Sequence, residues 1–190
     1  MKSGMRLLTV GGGYIGLEAA ATARKFGVDV TLVEIEERIL KRVAAKETSD
    51  YIRSLHISNG VKIKEAIGLD KLEIVGEKVV NASLTDGSDI NVDFVIVGIG
   101  ITPNTYLAEG ANLKINNGIL INEKCQTSVS NIYAAGDCTS FKYKNTLVRL
   151  ESVGNAIDQA TTVAQNIMKQ NTSYTPKPWF WSDQYDLKLQ

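Results

Sequence analysis

The stretch Leu7–Glu34 reads LLTVGGGYIGLEAAATARKFGVDVTLVE, and it decides the fold of the first half of the chain. Its apolar start, residues 7–10, predicts a strand that runs into a glycine-rich turn. A helix of small residues is predicted from Tyr14 onward, and Gly27 can end it in a left-handed conformation. A second strand then ends at the acidic Glu34. This order of strand, glycine turn, helix, strand and acid is typical of a dinucleotide-binding βαβ unit.

Each glycine of the turn has a separate physical role if the ligand is a dinucleotide. Gly11 lets the chain turn tightly, Gly13 lets the backbone approach a pyrophosphate, and Gly16 lets the helix pack close to the strand. The helix N-terminus offers N–H groups and a positive dipole end to the phosphates. Glu34 can accept hydrogen bonds from both ribose hydroxyls of the adenosine half. The alternative interpretation is a glycine-rich turn in some other α/β domain.

The acid at the end of the second strand also indicates which dinucleotide is bound. A 2′-phosphate beside Glu34 would meet a like charge, and the next residues, Ile35, Glu36 and Glu37, supply no cation to offset it. NAD is therefore favoured over NADP. Arg38 is the residue that weakens this argument if its side chain folds back.

Composition excludes several classes of function. The 190 residues contain 21 Lys and Arg and 21 Asp and Glu, so the balanced charge gives no support for nucleic-acid binding. No apolar run reaches membrane-spanning length and no signal peptide is recognisable, so a cytoplasmic location is expected. Cys125 and Cys138 lack a C-x-x-C or metal-ligand spacing and are interpreted as reduced thiols. The single histidine, His56, is predicted to be a surface or boundary residue and not a catalyst.

The segments after the first βαβ unit extend the same sheet. A helix is predicted over 44–58, with Tyr51, Ile52 and Leu55 facing inward, followed by a short third strand over 61–64. Three short β-type runs between residues 67 and 92 are separated by turn residues and predict an antiparallel meander that covers the sheet where a third helix would otherwise lie. The apolar run Phe94–Gly100 is predicted to return beside the first strand.

The second half of the chain has a different pattern. Short strands are predicted over 118–121 and 132–135, the latter ending at Gly136-Asp137. A helix is predicted over 153–168 with Ser152 as its N-cap. One apolar stripe runs along that helix at helical spacing: Val153, Ala156, Ile157, Ala160, Val163, Ala164 and Ile167.

Several stretches together resemble a known family, the FAD- and NADH-dependent ferredoxin reductases of bacterial oxygenase systems, of the putidaredoxin and rhodocoxin reductase type. These stretches are VGGGYIGLEAAATARKFG, VIVGIGITPN, TSVSNIYAAGDC, RLESVGNAIDQA and WFWSDQYDLKLQ. The resemblance implies an α/β fold: a Rossmann-like doubly wound parallel sheet with the meander, plus part of a second, FAD-binding domain. Residues 1–103 are expected to form the NAD(H)-binding domain, and residues 104–190 a segment of the FAD domain. The N-terminal FAD unit and the C-terminal domain of this family are not recognisable, so a fragment is expected.

The resemblance also assigns binding roles, residue by residue. Ile15 and Glu18 are expected near the nicotinamide, with Glu18 holding its carboxamide; the alternative is a solvent-facing helix residue. Gly98 is expected to edge the same pocket, or simply to form a tight exit turn. Asp137 is expected to accept a hydrogen bond from a ribityl hydroxyl of FAD, or otherwise to cap a turn. Val153 begins a helix whose N-terminus is expected to point at the pyrimidine edge of the flavin.

Further expectations follow from the tail and from the family's chemistry. Glu151 is expected to shape the nicotinamide pocket, and Trp179 and Trp181 to flank the flavin or else to pack in the core. The family passes electrons from NADH through FAD to a ferredoxin or rubredoxin. The alternatives are an isolated NAD(H)-binding fragment without turnover, or a related NADH oxidase or nitrite reductase flavoprotein. No catalytic side chain and no metal ligand is expected, and a homodimer through residues 104–190 is possible because strands of an incomplete sheet expose unpaired edges.

Overall fold

The computed structural model describes all residues from 1 to 190, which divide into two compact units. The first unit contains Met1–Gly100 together with Ser182–Leu189, and the second contains Ile101–Trp181 with Gln190. Residues 182–189 thus belong to the first unit, although the sequence analysis grouped them with residues 104–190. The assignment of the two parts to NAD and FAD binding stays a prediction.

The first unit is built on a four-stranded parallel sheet. In chain order its elements are β1 (Arg6–Val10), α1 (Tyr14–Lys25), β2 (Asp29–Glu34), α2 (Lys46–Ser58), β3 (Lys62–Glu65), β4 (Leu69–Val75), β5 (Lys78–Leu84), β6 (Asp89–Asn91) and β7 (Phe94–Val97). The strand order in the parallel sheet is β3-β2-β1-β7. The central strand β1 places Leu7 opposite Val30 of β2 and opposite Phe94 of β7. The predicted return of the apolar run beside the first strand is therefore confirmed.

The two faces of this sheet are covered differently, because successive side chains of a strand point to opposite sides. Leu7 joins the cluster of α1 and α2, which includes Leu17 and Ile52. Leu8 joins the opposite cluster, where Ala82 is contributed by the antiparallel meander β4-β5-β6. The α/β fold class and the meander over the second face are thus confirmed.

The inward face of α2 differs from the prediction. Ser49, Ile52 and His56 are fully buried, whereas Tyr51 is 59% exposed. These three buried positions follow helical spacing, which turns Tyr51 outward. The prediction that His56 is a surface or boundary residue was wrong, because Gln184, far along the chain, supplies a buried hydrogen-bond partner for its ring.

The second unit contains short strands and one long helix. Its elements are α3 (Tyr106–Gly110), β8 (Ile119–Leu120), β9 (Thr139–Tyr143), β10 (Thr146–Val148) and α4 (Val153–Ile167), with the sheet order β10-β9-β8. The strand predicted over 132–135 does not form. This segment makes only one bridge, between Gln126 and Tyr133, because the chain turns back on itself over these few residues. The terminal hairpin of the first unit consists of β11 (Ser182–Gln184) and β12 (Leu187–Leu189).

The helix α4 buries its polar side and exposes most of its apolar stripe. Its buried residues are Asn155, Gln159, Thr162 and Asn166, while Val153, Ile157 and Ile167 are 58%, 59% and 63% exposed. Each of the three buried amides makes at least one hydrogen bond to its own unit: Asn166, for example, donates to the carbonyl oxygens of Lys124 and Thr172. Hydrogen bonds to loop backbone therefore determine which side of α4 faces its own unit.

Candidate functional site

Two glycines of the turn are required by the packing of the protein itself. Gly11 has a φ of +102°, and a Cβ there would overlap the carbonyl oxygen of Gly98. A Cβ at Gly16 would overlap the carbonyl oxygen of Gly11. The end of β1, the start of α1 and the exit of β7 therefore meet by direct backbone contact, which any larger residue would prevent.

Gly13 is different, because the protein does not fill the space beside it. Its backbone is extended, with φ −78° and ψ −179°, and a Cβ built there meets nothing within 4 Å. Gly13 is also the N-cap of α1, and no side chain caps that helix. Open space in front of an uncapped helix N-terminus fits a phosphate group, which needs close approach to backbone N–H groups.

The carboxylate of Glu34 is fixed next to this turn. Its Oε2 accepts a hydrogen bond from the N–H of Gly12 at 2.6 Å, and its Oε1 accepts from the N–H of Glu36 at 2.8 Å. Each oxygen retains a further lone pair with which to accept a ribose hydroxyl. Glu34 therefore lies where the sequence predicts it, at the end of β2 beside the glycine turn.

Gly12 is a residue of the site that the motif analysis missed. Besides holding Glu34, it leaves no room for a side chain, since a Cβ would lie 2.6 Å from Cγ2 of Ile39 and 3.1 Å from Oε2 of Glu34. The signal was present in the run of three consecutive glycines, Gly11 to Gly13, of which the G-x-G-x-x-G pattern uses only two.

Arg38 does not fold back toward the carboxylate of Glu34. Its guanidinium donates to Ser49 Oγ and to the carbonyl oxygens of Lys41 and Ala44, so it braces the start of α2. The argument for NAD over NADP therefore still holds with respect to Arg38, the cation that the sequence analysis singled out, because its guanidinium is bonded elsewhere.

Ile15, Glu18 and Gly98 are brought together on the β7 side of the site. A Cβ at Gly98 would lie 3.7 Å from Cγ2 of Ile15, whose side chain is 65% exposed. Glu18 follows three residues after Ile15 on the same face of α1. Its Oε1 accepts a hydrogen bond from Ser182 Oγ at 2.6 Å, so Glu18 is not simply a solvent-facing helix residue. The sequence analysis did not single out Ser182.

Arg42 is a second residue that sequence reasoning missed. Its Nη1 lies 3.8 Å from the Cβ position of Gly100, just after β7. It places an exposed cation at the carboxyl edge of the sheet, where the phosphates of a dinucleotide are expected. Nothing in its local sequence distinguishes it from the neighbouring Lys41.

In the second unit, Asp137 lies on an exposed turn that α4 holds in place. Gly136, with a φ of +88°, donates its N–H to Gln159 Oε1 at 2.7 Å, and Thr139 Oγ1 donates to the same oxygen at 2.9 Å. The Nε2 of Gln159 is buried without a partner. Asp137 itself accepts only at its backbone carbonyl, from Arg149 at 3.4 Å, which leaves its carboxylate available.

The start of α4 has the N-cap that the sequence predicts. Ser152 caps the helix by accepting from the N–H of Asn155 at 3.3 Å, and Val153 is exposed. Just before it, Arg149 pairs with Glu151 at 2.6 Å, and the Arg149 Nε is buried without a partner. An accepting carboxylate, an exposed helix start and two unpaired buried donors together fit a polar group that both donates and accepts, such as a ribityl chain and pyrimidine ring.

The two tryptophans of the tail are not core residues. Trp179 and Trp181 are 51% and 44% exposed, and their ring centroids lie 5.3 Å apart. The alternative of core packing was therefore wrong. No group of three or more His, Cys, Asp or Glu side chains is placed to hold a metal ion.

A family model with the description "Pyridine nucleotide-disulphide oxidoreductase" matches residues 2–160. The chain belongs to this family. The chain is 44% identical over 189 residues to the ferredoxin reductase subunit of 5,5'-dehydrodivanillate O-demethylase from Sphingobium sp. The match covers 97% of this chain and 46% of that relative. It is 41% identical over 192 residues to rhodocoxin reductase from Rhodococcus erythropolis, covering 100% of this chain and 45% of that relative.

A solved structure is similar to this chain as well. The covalent complex of putidaredoxin reductase with putidaredoxin matches with a TM-score of 0.92 and 41% identity, over 97% of this chain and 45% of that one. The chain thus spans less than half the length of the relatives it matches. The resemblance inferred from the sequence is confirmed. None of the four helices is both long and apolar enough to cross a bilayer.

Proposed function

We propose that this chain is part of an NADH-dependent flavoprotein reductase that passes electrons from NADH through FAD to a ferredoxin or rubredoxin. The observation that carries the proposal is the cradle of the first unit: open space at Gly13 beside a carboxylate, Glu34, that is fixed by the N–H of Gly12. The names of the two relatives, a ferredoxin reductase subunit and a rhodocoxin reductase, support the kind of electron acceptor.

The first unit binds NAD(H) across the carboxyl end of its sheet. Glu34 accepts the hydroxyls of the adenosine ribose, and the start of α1 at Gly13 receives the pyrophosphate. Ile15, Glu18 and Gly98 receive the nicotinamide half. Because Glu34 is a carboxylate and Arg38 is engaged by α2, a 2′-phosphate is repelled and NADH is preferred over NADPH.

The second unit contributes part of the FAD site. Asp137 accepts a hydroxyl of the ribityl chain, while the N-terminus of α4 at Val153 faces the pyrimidine edge and stabilises negative charge there. FAD, when bound, supplies the conversion of a two-electron hydride into single electrons, and the protein positions it and tunes its electrostatics. We propose a cytoplasmic site of action, which the two free cysteines support.

A second candidate function is NAD(H) binding without turnover by these 190 residues alone. It is favoured by the coverage of 45% to 46% of the relatives' length, because more than half of that length has no counterpart in these 190 residues. A related NADH oxidase or nitrite reductase flavoprotein remains the alternative within the enzyme class.

The test is titration of the 190-residue chain with NADH and with NADPH, followed by nucleotide fluorescence, and a ferricyanide reduction assay with and without added FAD. Saturable NADH binding, weaker NADPH binding and no ferricyanide reduction without FAD are expected. A matched variant, Glu123→Gln, changes a carboxylate of the second unit and should bind NADH as the unaltered chain does. Absence of NADH binding would refute the proposal, whereas turnover without FAD would refute the role given to the flavin.

A further inference from the structure

A continuous chain of hydrogen bonds crosses the interior of the first unit, from α2 through the terminal hairpin to α1. The hydroxyl of Tyr185 lies 3.3 Å from Nδ1 of His56, whose Nε2 lies 2.8 Å from Oε1 of Gln184. Nε2 of Gln184 donates to Ser182 Oγ at 3.0 Å, and Ser182 Oγ donates to Oε1 of Glu18 at 2.6 Å. The chain therefore joins a buried histidine to a carboxylate at the nucleotide site.

The chemistry of the groups gives every hydrogen bond in this chain the same direction. The Gln184 oxygen can only accept, so His56 carries its proton on Nε2 and accepts at Nδ1 from the Tyr185 hydroxyl. Burial lowers the pKa of His56, which keeps the ring neutral, and burial raises the pKa of Tyr185 to about 12, which keeps the phenol a donor. Hydrogen bonds aligned in series polarise and strengthen one another, and here they end on the carboxylate of Glu18.

Burial makes this arrangement rigid along most of its length. His56, Gln184 and Ser182 are each 0% exposed, so any displaced member would leave a buried polar atom without a partner. Glu18 is only half-buried, and the series of hydrogen bonds ends at its carboxylate. Because Oε1 of Glu18 is hydrogen-bonded to the buried Ser182 and the side chain is partly open to solvent, its other oxygen is suited to accept a hydrogen bond from a ligand.

The position of Glu18 indicates which part of a dinucleotide it meets. Glu34 marks the adenosine ribose on the β2 side of β1, and β7 lies on the other side of β1. Ile15 lies against Gly98 at the exit of β7, and Glu18 shares the face of Ile15. A dinucleotide anchored at Glu34 and crossing the N-terminus of α1 therefore brings its nicotinamide half toward Glu18.

We propose that Ser182 is a positioning residue for nicotinamide recognition. It occupies Oε1 of Glu18 and thereby directs Oε2 to accept the N–H of the nicotinamide carboxamide, with Gln184 and His56 holding Ser182 in turn. The inference rests on the proposed binding of NAD(H) to the first unit. It makes the last residues of the chain, and not only the glycine motif, part of the specificity for the nicotinamide half.

The first test compares NADH with ADP-ribose, which lacks the nicotinamide, in calorimetric titrations of the full 190-residue chain. Ser182→Ala should weaken NADH binding about three- to tenfold, the size of one ordinary net hydrogen bond, because the bond from the carboxamide to Glu18 is misaligned and not removed; ADP-ribose binding should stay unchanged. Ser83→Ala is the matched control, because Ser83 Oγ also donates to a carboxylate, Asp89, at 2.6 Å, but in the meander. It should change neither affinity.

A double-mutant comparison separates positioning from a general effect on folding. Glu18→Gln should also weaken NADH selectively, and adding Ser182→Ala to it should cause no further loss. Equal weakening of NADH and ADP-ribose by Ser182→Ala, no weakening of either, or additive losses in the double variant would each overturn the inference. If the unaltered chain binds NADH but not ADP-ribose, or neither, the proposed anchoring at Glu34 fails, and the inference fails with it.

A second measurement uses the unaltered chain and needs no variant to fold. Because the sequence has a single histidine, the ring nitrogen signals of His56 can be assigned without ambiguity in an NMR titration. NADH should shift these signals through the chain of hydrogen bonds, and ADP-ribose should leave them in place. Signals that NADH does not move, or that both ligands move equally, would contradict the inference.

Discussion

Replacing Gly13 with alanine should separate nucleotide binding from folding. The backbone at Gly13 is extended, and a Cβ there meets nothing within 4 Å, so alanine fits without strain. An alanine N-cap costs about 0.5–1 kcal/mol relative to glycine. Alanine also restricts the unfolded chain, which stabilises the folded state by about 0.4–1 kcal/mol. The free energy of unfolding should therefore change by less than about 1 kcal/mol.

The same methyl group should interfere strongly with a phosphate. It would occupy the open space in front of α1 and push the pyrophosphate away from the helix N–H groups. Loss of one charge-assisted hydrogen bond costs about 1.5–3 kcal/mol, which corresponds to about ten- to a hundredfold in Kd. Gly13→Ala should therefore bind NADH about ten- to a hundredfold more weakly at nearly unchanged stability.

Gly16→Ala should show a different result, because its Cβ would overlap the carbonyl oxygen of Gly11. Overpacking against backbone costs about 1–3 kcal/mol, only part of which the better helix propensity of alanine offsets. This variant should lose stability first, and lose binding as a consequence.

The assay pairs NADH fluorescence titration with hydrogen exchange of the buried β1 amides, which reports the stability of the first unit. Gly110→Ala is the control, since Gly110 is also open within 4 Å but lies in the second unit. It should leave both quantities unchanged. The reasoning is refuted if Gly13→Ala binds NADH within about twofold of the unaltered chain while its β1 amides exchange at the same rate.

Four further outcomes are expected. Glu34→Gln should narrow the preference for NADH over NADPH, measured by parallel titrations, because it removes the like charge; an unchanged ratio would contradict the role of Glu34. Cys138 should react with a thiol reagent at pH 8 well before the buried Cys125, whose pKa burial raises to about 11; equal rates would count against this. The pKa of His56 is lowered in the folded protein, so as the pH falls below 6.5 the unfolded chain binds a proton that the folded protein does not, and the free energy of unfolding decreases. His56→Gln should reduce this decrease, measured by urea titrations at several pH values. If a second copy covers the exposed stripe of α4, Ile157→Asp should lower the mass seen in light scattering, and a monomeric unaltered chain would exclude such a dimer.

Sequence alone predicted the parts of the fold that local patterns encode. The strand, glycine turn and helix from Leu7 to Glu34 form as expected, because period, turn chemistry and the end of α1 agree with one another. The meander was likewise readable from alternating residues and turn glycines. The site residues at Gly11, Gly13, Gly16 and Glu34 lie together for the same reason; their binding of a nucleotide stays a proposal.

What the sequence could not predict depends on contacts between distant residues. The burial of His56 depends on Gln184, which follows 128 residues later, and no local pattern announces that partner. The side of α4 that faces its own unit could not be predicted for a related reason. Its apolar stripe suggests an inward face. However, Asn155 and Asn166 donate to loop carbonyl oxygens of the same unit, and Gln159 accepts from the N–H of Gly136, so the polar side faces inward. Periodicity shows that a helix has two faces; it does not show which one its neighbours cover.

The glycine motif itself combines two requirements that the structure separates. Gly11 and Gly16 serve the contact of backbone with backbone, so a domain of this fold needs them whether or not it binds a nucleotide. Gly13 serves no such contact, and the two hydrogen bonds that fix Glu34 orient a carboxylate that the sheet does not require. The first pair therefore indicates the fold, and the second pair is the part that the proposed nucleotide would use. It follows that a change at Gly13 or Glu34 tests function, whereas a change at Gly11 or Gly16 tests chiefly whether the protein folds.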